Sequence, residues 1–288
     1  MKTAMESALL PQYTNSEDFM DRYFEALHYK GAPISRSENS IGVKFADKSE
    51  LSSDCLNYFT YHKNELENEF FEELSTEIGE EKTTLFCKII TKYWYDGHYK
   101  RNSKLVNGIK KNIYDYLSLL KNSADLSDVI VNSEIKPYKL IFNEKDISKI
   151  LTINYFNVLK HLNLWLNTHP NSREFTRSDI YFRRGVPRDS LYKNNDIYKE
   201  WNYINSYSIA FSVSEKFSQM VGNKIPIIIN GDSVFFQKRI LFFSPFIKGM
   251  DAGQLELGII PGEYPEKLEY QGNHGGIHEY LITYENRN

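Results

Sequence analysis

The 288-residue chain has an ordinary globular composition, with 41% hydrophobic and 25% charged residues. This balance excludes a disordered, charge-rich chain and provides enough residues for one sizeable core or two smaller ones. The formal net charge of −3 and the absence of a long basic stripe argue against a non-specific nucleic-acid-binding protein.

The cysteine content and the apolar runs indicate where the chain works. Cys55 and Cys87 form no CxxC pair and accompany no Cys/His cluster, so we expect neither a zinc site nor a disulfide framework. A reducing, cytosolic compartment is the expected site of action. No apolar run approaches the roughly 20 residues that span a bilayer. Residues 1–12 make a poor secretory signal, so any delivery into a host cell is expected to use secretion or injection by a non-Sec route.

Helical spacing of apolar residues dominates the first half of the chain. It predicts helices over residues 16–30, 52–78, 81–95, 105–117 and 146–168. Ser16, followed by two acidic residues, is typical of a helix start. Pro170 ends the last of these helices, because proline disfavours a helical conformation in the residue before it. Core packing is the ordinary function of such stripes.

After Pro170 the chain changes to short apolar or alternating runs separated by Gly, Pro, Asn and Asp. These runs predict strands over residues 180–182, 225–229, 240–243, 255–260, 267–270 and 279–283. A helical part followed by a strand-rich part indicates an α+β fold. We therefore divide the chain into a helical N-terminal region, residues 1–140, and a strand-rich domain, residues 141–288.

Several common active-site motifs are absent from the sequence. It contains no GxGxxG segment, no P-loop and no GxSxG elbow. His274 and His278 could be taken for metal ligands, but the Gly-Gly pair between them favours a hairpin turn.

Two short polar segments follow in the first half of the strand-rich part. In the first, residues 181–186, Phe182 and Arg184 would share one face of a strand. Arg184 beside a glycine suits a diphosphate, because a guanidinium pairs with phosphate oxygens. The second segment, residues 205–208, reads Asn-Ser-Tyr-Ser and precedes a short helix that carries Phe217. Alone, each segment also fits a surface arginine or a plain turn.

The third segment, residues 254–262, contains two polar residues and a Pro-Gly end. Gln254 and Glu256 are spaced by two and would share one face of a strand, with Leu255 and Leu257 buried on the other face. Alone, this pattern also fits an ordinary carboxylate on an edge strand.

Together, in this order, the three segments resemble the mono-ADP-ribosyltransferase family of the arginine–serine–glutamate class. That family has an aromatic–Arg–Gly strand, a Ser-Thr-Ser strand leading to a helix with a phenylalanine, and a Gln-x-Glu or Glu-x-Glu strand. Tyr207 departs from the pattern by replacing the threonine, and either Arg183 or Arg184 fits the motif arginine. The resemblance covers residues 145–285 and implies a split β-sandwich with a helical lobe.

The resemblance implies cleavage of the nicotinamide–ribose bond of NAD⁺, which is the substrate, without a metal. Glu256 would stabilise an oxocarbenium-like transition state, as a carboxylate does in glycoside hydrolysis. Ser206 would orient Glu256. The implied NAD⁺-binding residues are Arg184, Gly185, Ser206, Tyr207 and Ser208.

Gln254 would lie toward the group that accepts ADP-ribose. In the family a glutamate at this position accompanies arginine modification, whereas a glutamine can hydrogen-bond an amide or hydroxyl but cannot act as a base. The resemblance therefore implies a bacterial toxin or effector that modifies Asn, Gln, Thr or a similar acceptor on a host protein. Phe246, in the loop before Gln254, is expected to be exposed and to contact the acceptor.

Other functions stay open at this point. The same fold could carry an NAD⁺ glycohydrolase or a nucleic-acid-directed transferase. In a different class, the chain would be a non-enzymatic helical interaction protein. The N-terminal helices would serve targeting, partner binding or regulation, or would cover the NAD⁺ cleft.

Overall fold

The computed structural model describes residues 50–95, 103–123, 125–132, 141–168, 180–236 and 238–284. The helix predicted over residues 16–30 lies outside these ranges. The helices are α1 Glu50–Tyr61, α2 Lys63–Ile78, α3 Glu80–Ile89, a π-helix Ile90–Tyr95, α4 Lys104–Lys121, α5 Glu144–Thr168 and α6 Phe211–Ser218.

The helices follow the predicted spacing, with two local differences. The predicted helix over residues 52–78 is two helices, because the chain is interrupted at His62. The predicted helix over residues 81–95 widens into a π-helix in its last turns. Ser103 caps α4, where its hydroxyl accepts a hydrogen bond from the Val106 amide at 3.3 Å, and Asn122 ends α4 in a left-handed conformation.

Eight strands follow in the described residues. They are β1 Tyr181–Arg188, β2 Asp196–Tyr198, β3 Asn205–Ser208, β4 Ile225–Asp232, β5 Ile240–Phe243, β6 Glu256–Ile259, β7 Glu266–His274 and β8 Ile277–Tyr284. The apolar runs predict six of them but not β2 or β3, and a strand at β3 is implied only by the family resemblance. Gly275 and Gly276, with φ of +67° and +90°, form the turn between β7 and β8. The predicted Gly-Gly hairpin is thus confirmed.

The strands form one mixed sheet in the order β2-β7-β8-β4-β1-β3-β6-β5. β4 and β8 are parallel, and the other neighbours are antiparallel. β1 and β3 share a single residue pair, Arg183 with Ser208, so two groups of strands meet there at one point. Helices and a mixed sheet confirm the predicted α+β class.

One hydrophobic core joins the helical part to the sheet. The ring of Phe59 in α1 packs edge-on against Phe243 at 5.0 Å, and Phe70 in α2 stacks on Phe246 at 5.8 Å. Residues on both sides of position 140 therefore share this core, although position 140 itself lies outside the described residues. Across the described ranges, no helix combines the length and the apolar character needed to cross a membrane.

Candidate active site

A cavity of about 710 Å³ lies where β1, β3 and β6 meet α6 and the π-helix. It contains most of the residues that the sequence pattern singled out. The lining residues are Trp94, Lys110, Asn132, Arg183, Arg184, Gly185, Trp201, Asn202, Ile204, Asn205, Ser206, Tyr207, Ser208, Val213, Ser214, Phe217, Gln254 and Glu256.

Strand register decides which side chains face this cavity. Ser208 pairs with Arg183 on one side and with Glu256 on the other, and directly paired residues point to the same face of a sheet. Ser206 lies two residues before Ser208 and therefore shares that face. We call the face of these four residues the cavity face. Tyr207 points to the opposite face, which packs on the core.

Glu256 is anchored on the cavity face by two side-chain donors. The Ser206 hydroxyl donates to Glu256 Oε1 at 2.6 Å, and the Trp94 indole N–H donates to the same oxygen at 3.3 Å. The Glu256 amide donates to the Ser244 hydroxyl oxygen at 2.9 Å, which fixes the start of β6. The carboxylate is thus held in a defined position beside the cavity.

Ser208 connects the strand of Ser206 to the segments on both sides of the cavity. Its hydroxyl donates to the Gln254 carbonyl oxygen at 2.6 Å and accepts from the Ala210 amide at 2.9 Å. One side chain therefore fixes the approach to Glu256 and the start of α6 at the same time.

Gln254 lines the cavity but does not lie on the strand of Glu256. It ends a short 3-10 helix, Ala252–Gln254, and Leu255 follows with φ of 41°, in the left-handed region. The prediction that Gln254 and Glu256 share a strand face is therefore wrong, because Leu255 interrupts the alternation. Leucine rarely adopts a left-handed conformation, which costs on the order of 1 kcal/mol of conformational free energy. The side chain of Leu255 is buried in this position.

The two adjacent arginines point in opposite directions. Arg183 is 3% exposed on the cavity face, where its Nη1 donates to the backbone oxygens of Tyr181 and Ile209 at 3.2 and 3.3 Å. Half-buried Arg184 points to the other face but reaches the gap between β1 and β3, where its Nη1 donates to the Ser206 oxygen at 3.4 Å. Of the two arginines, Arg183 shares the face of Glu256, although both line the cavity.

A buried carboxylate that sequence reasoning missed organises the surroundings of Arg184. Glu200 accepts hydrogen bonds from the hydroxyls of Tyr207 at 2.6 Å and Tyr198 at 3.1 Å. Burial alone disfavours the charged Arg184, yet Tyr198 and Glu200 nearby keep its pKa above the ordinary value. A lone glutamate after a three-residue strand gives no sequence signal of this role.

Tyr207 was predicted to contact NAD⁺, and the structure corrects this for its side chain. The ring is 1% exposed and packs against Phe236 at 4.8 Å. Burial and the nearby Glu200 raise the pKa of Tyr207 well above its usual value, so its hydroxyl stays protonated and donates to Glu200. Because the side chain of Tyr207 faces the core, the replacement of threonine by tyrosine at this position leaves the cavity face unchanged.

Gly185 allows α6 to lie directly against β1. A Cβ atom on Gly185 would overlap the Ser214 carbonyl oxygen and lie 2.6 Å from the Ser218 amide nitrogen. The Ser214 hydroxyl also donates to the Arg183 oxygen at 2.9 Å. This contact places Phe217, 39% exposed, at the cavity, which Gly185 itself also lines.

Phe246 was expected to be exposed and to contact the acceptor, and this prediction is wrong. Its side chain is 1% exposed and packs between Phe70 and Phe243. The segment Ser244–Phe246 forms a 3-10 turn with Pro245 near its start, which directs the ring into the core. Phe246 therefore stabilises the base of the loop.

The helical part also supplies residues to the cavity. Trp94, Lys110 and Asn132 line it, although none belongs to the three sequence segments. Nothing in their local sequence distinguishes them, because only the packing of the helices against the sheet brings them there. Within the described residues no group of three or more His, Cys, Asp or Glu side chains could hold a metal ion.

Comparison with family models and with curated proteins gives no match for this sequence. Among solved structures, the chain is similar to the ADP-ribosyltransferase Vis in complex with M6 inhibitor and in complex with agmatine. Both share 12% identity and cover 85% of this chain and 89% of theirs, with TM-scores of 0.37 and 0.36. The Vis toxin of Vibrio splendidus, at 12% identity, covers 91% of both chains with a TM-score of 0.34.

Proposed function

We propose that this protein is an NAD⁺-dependent mono-ADP-ribosyltransferase that modifies a non-arginine acceptor. One observation carries the proposal. The Ser206 hydroxyl holds the Glu256 carboxylate at 2.6 Å inside a cavity that two arginines also line. A fixed carboxylate beside cationic groups matches a substrate that develops positive charge at a ribose and carries a diphosphate.

NAD⁺ fits the composition and the size of this cavity. Its volume of about 710 Å³ lies within the range of roughly 300–1,000 Å³ that is usual for ligand pockets. Arg183, Arg184 and Lys110 supply positive charge for the diphosphate. Phe217 and Trp201, both about 40% exposed, present aromatic rings on which a planar ring could stack.

The proposed reaction begins with cleavage of the bond between nicotinamide nitrogen and ribose C1′. Nicotinamide leaves as a neutral molecule with the bonding electron pair, and Glu256 stabilises the oxocarbenium ion that remains. The acceptor atom then bonds to C1′ and releases its proton to water. Ser206 holds Glu256 in place, and Arg183 holds the diphosphate. Arg184, which the sequence pattern favours for the diphosphate, is the alternative.

The chemistry of Gln254 supports the non-arginine acceptor. Gln254 lines the cavity two residues before Glu256. Its side chain can pair with an amide or a hydroxyl, but it carries no charge for a guanidinium. Asn, Gln and Thr side chains of a host protein are the acceptor class that we propose. The protein would act as a toxin or effector in the host cytosol after non-Sec delivery.

Labelled NAD⁺ tests the proposal directly. The wild-type chain is incubated with labelled NAD⁺ and host lysate, beside Glu256→Gln and the matched control Glu263→Gln, whose carboxylate lies outside the cavity. We expect nicotinamide release and protein labelling to fall by about 10²–10³ in Glu256→Gln and to persist in the control. A wild-type chain that releases no nicotinamide would overturn the enzymatic proposal.

The same assay separates the other functions that the sequence leaves open. Nicotinamide release without labelling would indicate a glycohydrolase, and labelling removed by nuclease would indicate a nucleic-acid target. A Gln254→Glu variant tests the acceptor class, since it is expected to lose labelling of the natural target while NAD⁺ hydrolysis continues.

A further inference from the structure

The π-helix Ile90–Tyr95 belongs to the helical part of the chain, yet it reaches the carboxylate on which the proposed chemistry depends. Trp94 lies 162 residues before Glu256 and donates its indole N–H to Glu256 Oε1 at 3.3 Å. Ser206 donates to the same oxygen at 2.6 Å. Trp94 is 5% exposed and lines the cavity. Two donors, one from the π-helix and one from β3, therefore converge on one oxygen atom.

Packing on the cavity face holds the indole in place. The Trp94 ring lies against Phe242 in an edge arrangement, with the ring centres 6.1 Å apart. Phe242 pairs with Gly258 across β5 and β6, and a Cβ atom on Gly258 would overlap the Phe242 ring. The absence of a side chain at Gly258 thus gives Phe242 room to support Trp94 beside Glu256.

The same helix also contacts the loop that leads to Gln254. The Thr91 hydroxyl lies 3.0 Å from the Lys248 carbonyl oxygen, to which it donates, and the Thr91 methyl group faces Gly249. One helical turn therefore touches both the loop before the acceptor-facing residue and the carboxylate itself. π-Helical segments are rare in proteins and are often found at functional sites.

We propose that Trp94 is a positioning residue that sets the orientation of Glu256, an inference that rests on the proposed function. A carboxylate can rotate about its last bond, and a single hydroxyl donor leaves part of that freedom. The Trp94 indole N–H, held in place by ring packing, donates a second hydrogen bond to Oε1. It thereby restricts the carboxylate to the orientation that faces the ribose. In this view the helical part completes the active site.

Substitution of Trp94 by Phe removes the donor and keeps an aromatic ring against Phe242. We expect kcat for nicotinamide release to fall about tenfold to a hundredfold, as for the loss of one hydrogen bond to a charged group. KM for NAD⁺ should change less than about threefold, because the residue acts on the carboxylate and not on the diphosphate. Trp165→Phe, a buried tryptophan of α5 away from the cavity, is the matched control.

A double-mutant cycle with Ser206→Ala tests whether both donors act on the same group. If Trp94 and Ser206 position one carboxylate, the loss in kcat of the double variant is smaller than the product of the two single losses. Independent, multiplicative losses would overturn the shared role. Thermal unfolding of each variant, compared with Trp165→Phe, shows whether a loss of folding explains the change.

The indole N–H resonances provide a readout that needs no activity. The chain has three tryptophans, and the Trp94 signal is the one lost in Trp94→Phe. In Glu256→Gln the Trp94 signal should shift, because its acceptor loses its charge, while the Trp165 signal stays. The positioning role of Trp94 alone is overturned if its signal does not shift in Glu256→Gln. It is also overturned if the wild-type chain is active and Trp94→Phe keeps the full kcat.

If the wild-type chain releases no nicotinamide, the proposed function is overturned, and the positioning role of Trp94 falls with it.

Discussion

At the scale of single residues, two neighbouring arginines have different surroundings although their sequence context is nearly the same. Arg183 lies on the face of Glu256 and is fixed by two backbone oxygens. Arg184 lies near the buried Glu200 and donates to the backbone oxygen of Ser206. The two arginines therefore differ in which face and which partners hold their guanidinium groups, although both line the cavity.

Separate lysine substitutions distinguish the two arginines. We expect Arg183→Lys to raise KM for NAD⁺ about tenfold or more, because an ammonium cannot form the paired hydrogen bonds of a guanidinium with phosphate. Arg184→Lys should change KM less and should lower the melting temperature. Steady-state kinetics and thermal unfolding measure both effects. The opposite ranking in KM would assign the diphosphate to Arg184.

At the scale of elements, the close approach of α6 to β1 sets the position of one wall of the cavity. Gly185→Ala should push α6 outward, because its new methyl group would overlap the Ser214 carbonyl. Overpacking of this kind costs about 1–3 kcal/mol. We expect a melting temperature lower by roughly 3–10 °C, together with weaker NAD⁺ binding.

Gly222 provides the matched control for this substitution. Nothing lies within 4 Å of a Cβ atom placed there. Gly222→Ala should therefore leave both the melting temperature and NAD⁺ binding near the wild-type values. Equal behaviour of the two alanine variants in calorimetry would show that α6 does not depend on the close contact at Gly185.

At the scale of the whole molecule, the helical part and the sheet share one core. A chain of residues 141–288 alone would expose Phe243 and Phe246, which pack against Phe59 and Phe70 of the helical part. We expect this fragment to lack a cooperative thermal transition and to expose apolar surface to a hydrophobic dye. A fragment that unfolds cooperatively would support two independent domains with a boundary near residue 140.

The pH dependence of stability is a second property of the whole fold. Burial raises the pKa of Asp232 from 3.8 to about 7, although the Val234 and Phe235 amides donate to it. Because its folded pKa lies above the unfolded value, its stabilising contribution is complete below about pH 4 and is lost as pH rises through 7. The contribution of Asp232 should therefore make the wild-type melting temperature fall between pH 5.5 and about 7 and then level off.

Asp232→Asn should reduce this fall, on the order of 5 °C, since an amide keeps the acceptor oxygen but does not titrate. The exposed Asp189→Asn is the control and should retain the wild-type pH dependence. Thermal unfolding at several pH values measures the difference. An identical slope in Asp232→Asn would mean that Asp232 does not titrate in this range.

Features that depend only on interactions between near neighbours in the chain can be predicted from the amino-acid sequence. Apolar spacing of 3.6 or 2 residues located α2 to α5 and most strands, since each pattern depends only on neighbours in the chain. The Gly-Gly turn between β7 and β8 followed from the positive φ that glycine adopts at little steric cost. The resemblance of the three ordered segments to a known family also implied Ser206 and Glu256 as candidate site residues.

Which distant side chains come into contact depends on the tertiary structure. The face of Arg183 depends on the register of β1 with β3, and a shift by one residue would reverse it. Phe246 is buried because α2 supplies a partner, and Leu255 adopts a left-handed conformation that no alternating pattern reveals. Trp94 reaches Glu256 across 162 residues of chain. Such contacts depend on how distant elements pack, whereas sequence periodicity describes only the immediate neighbourhood of each residue.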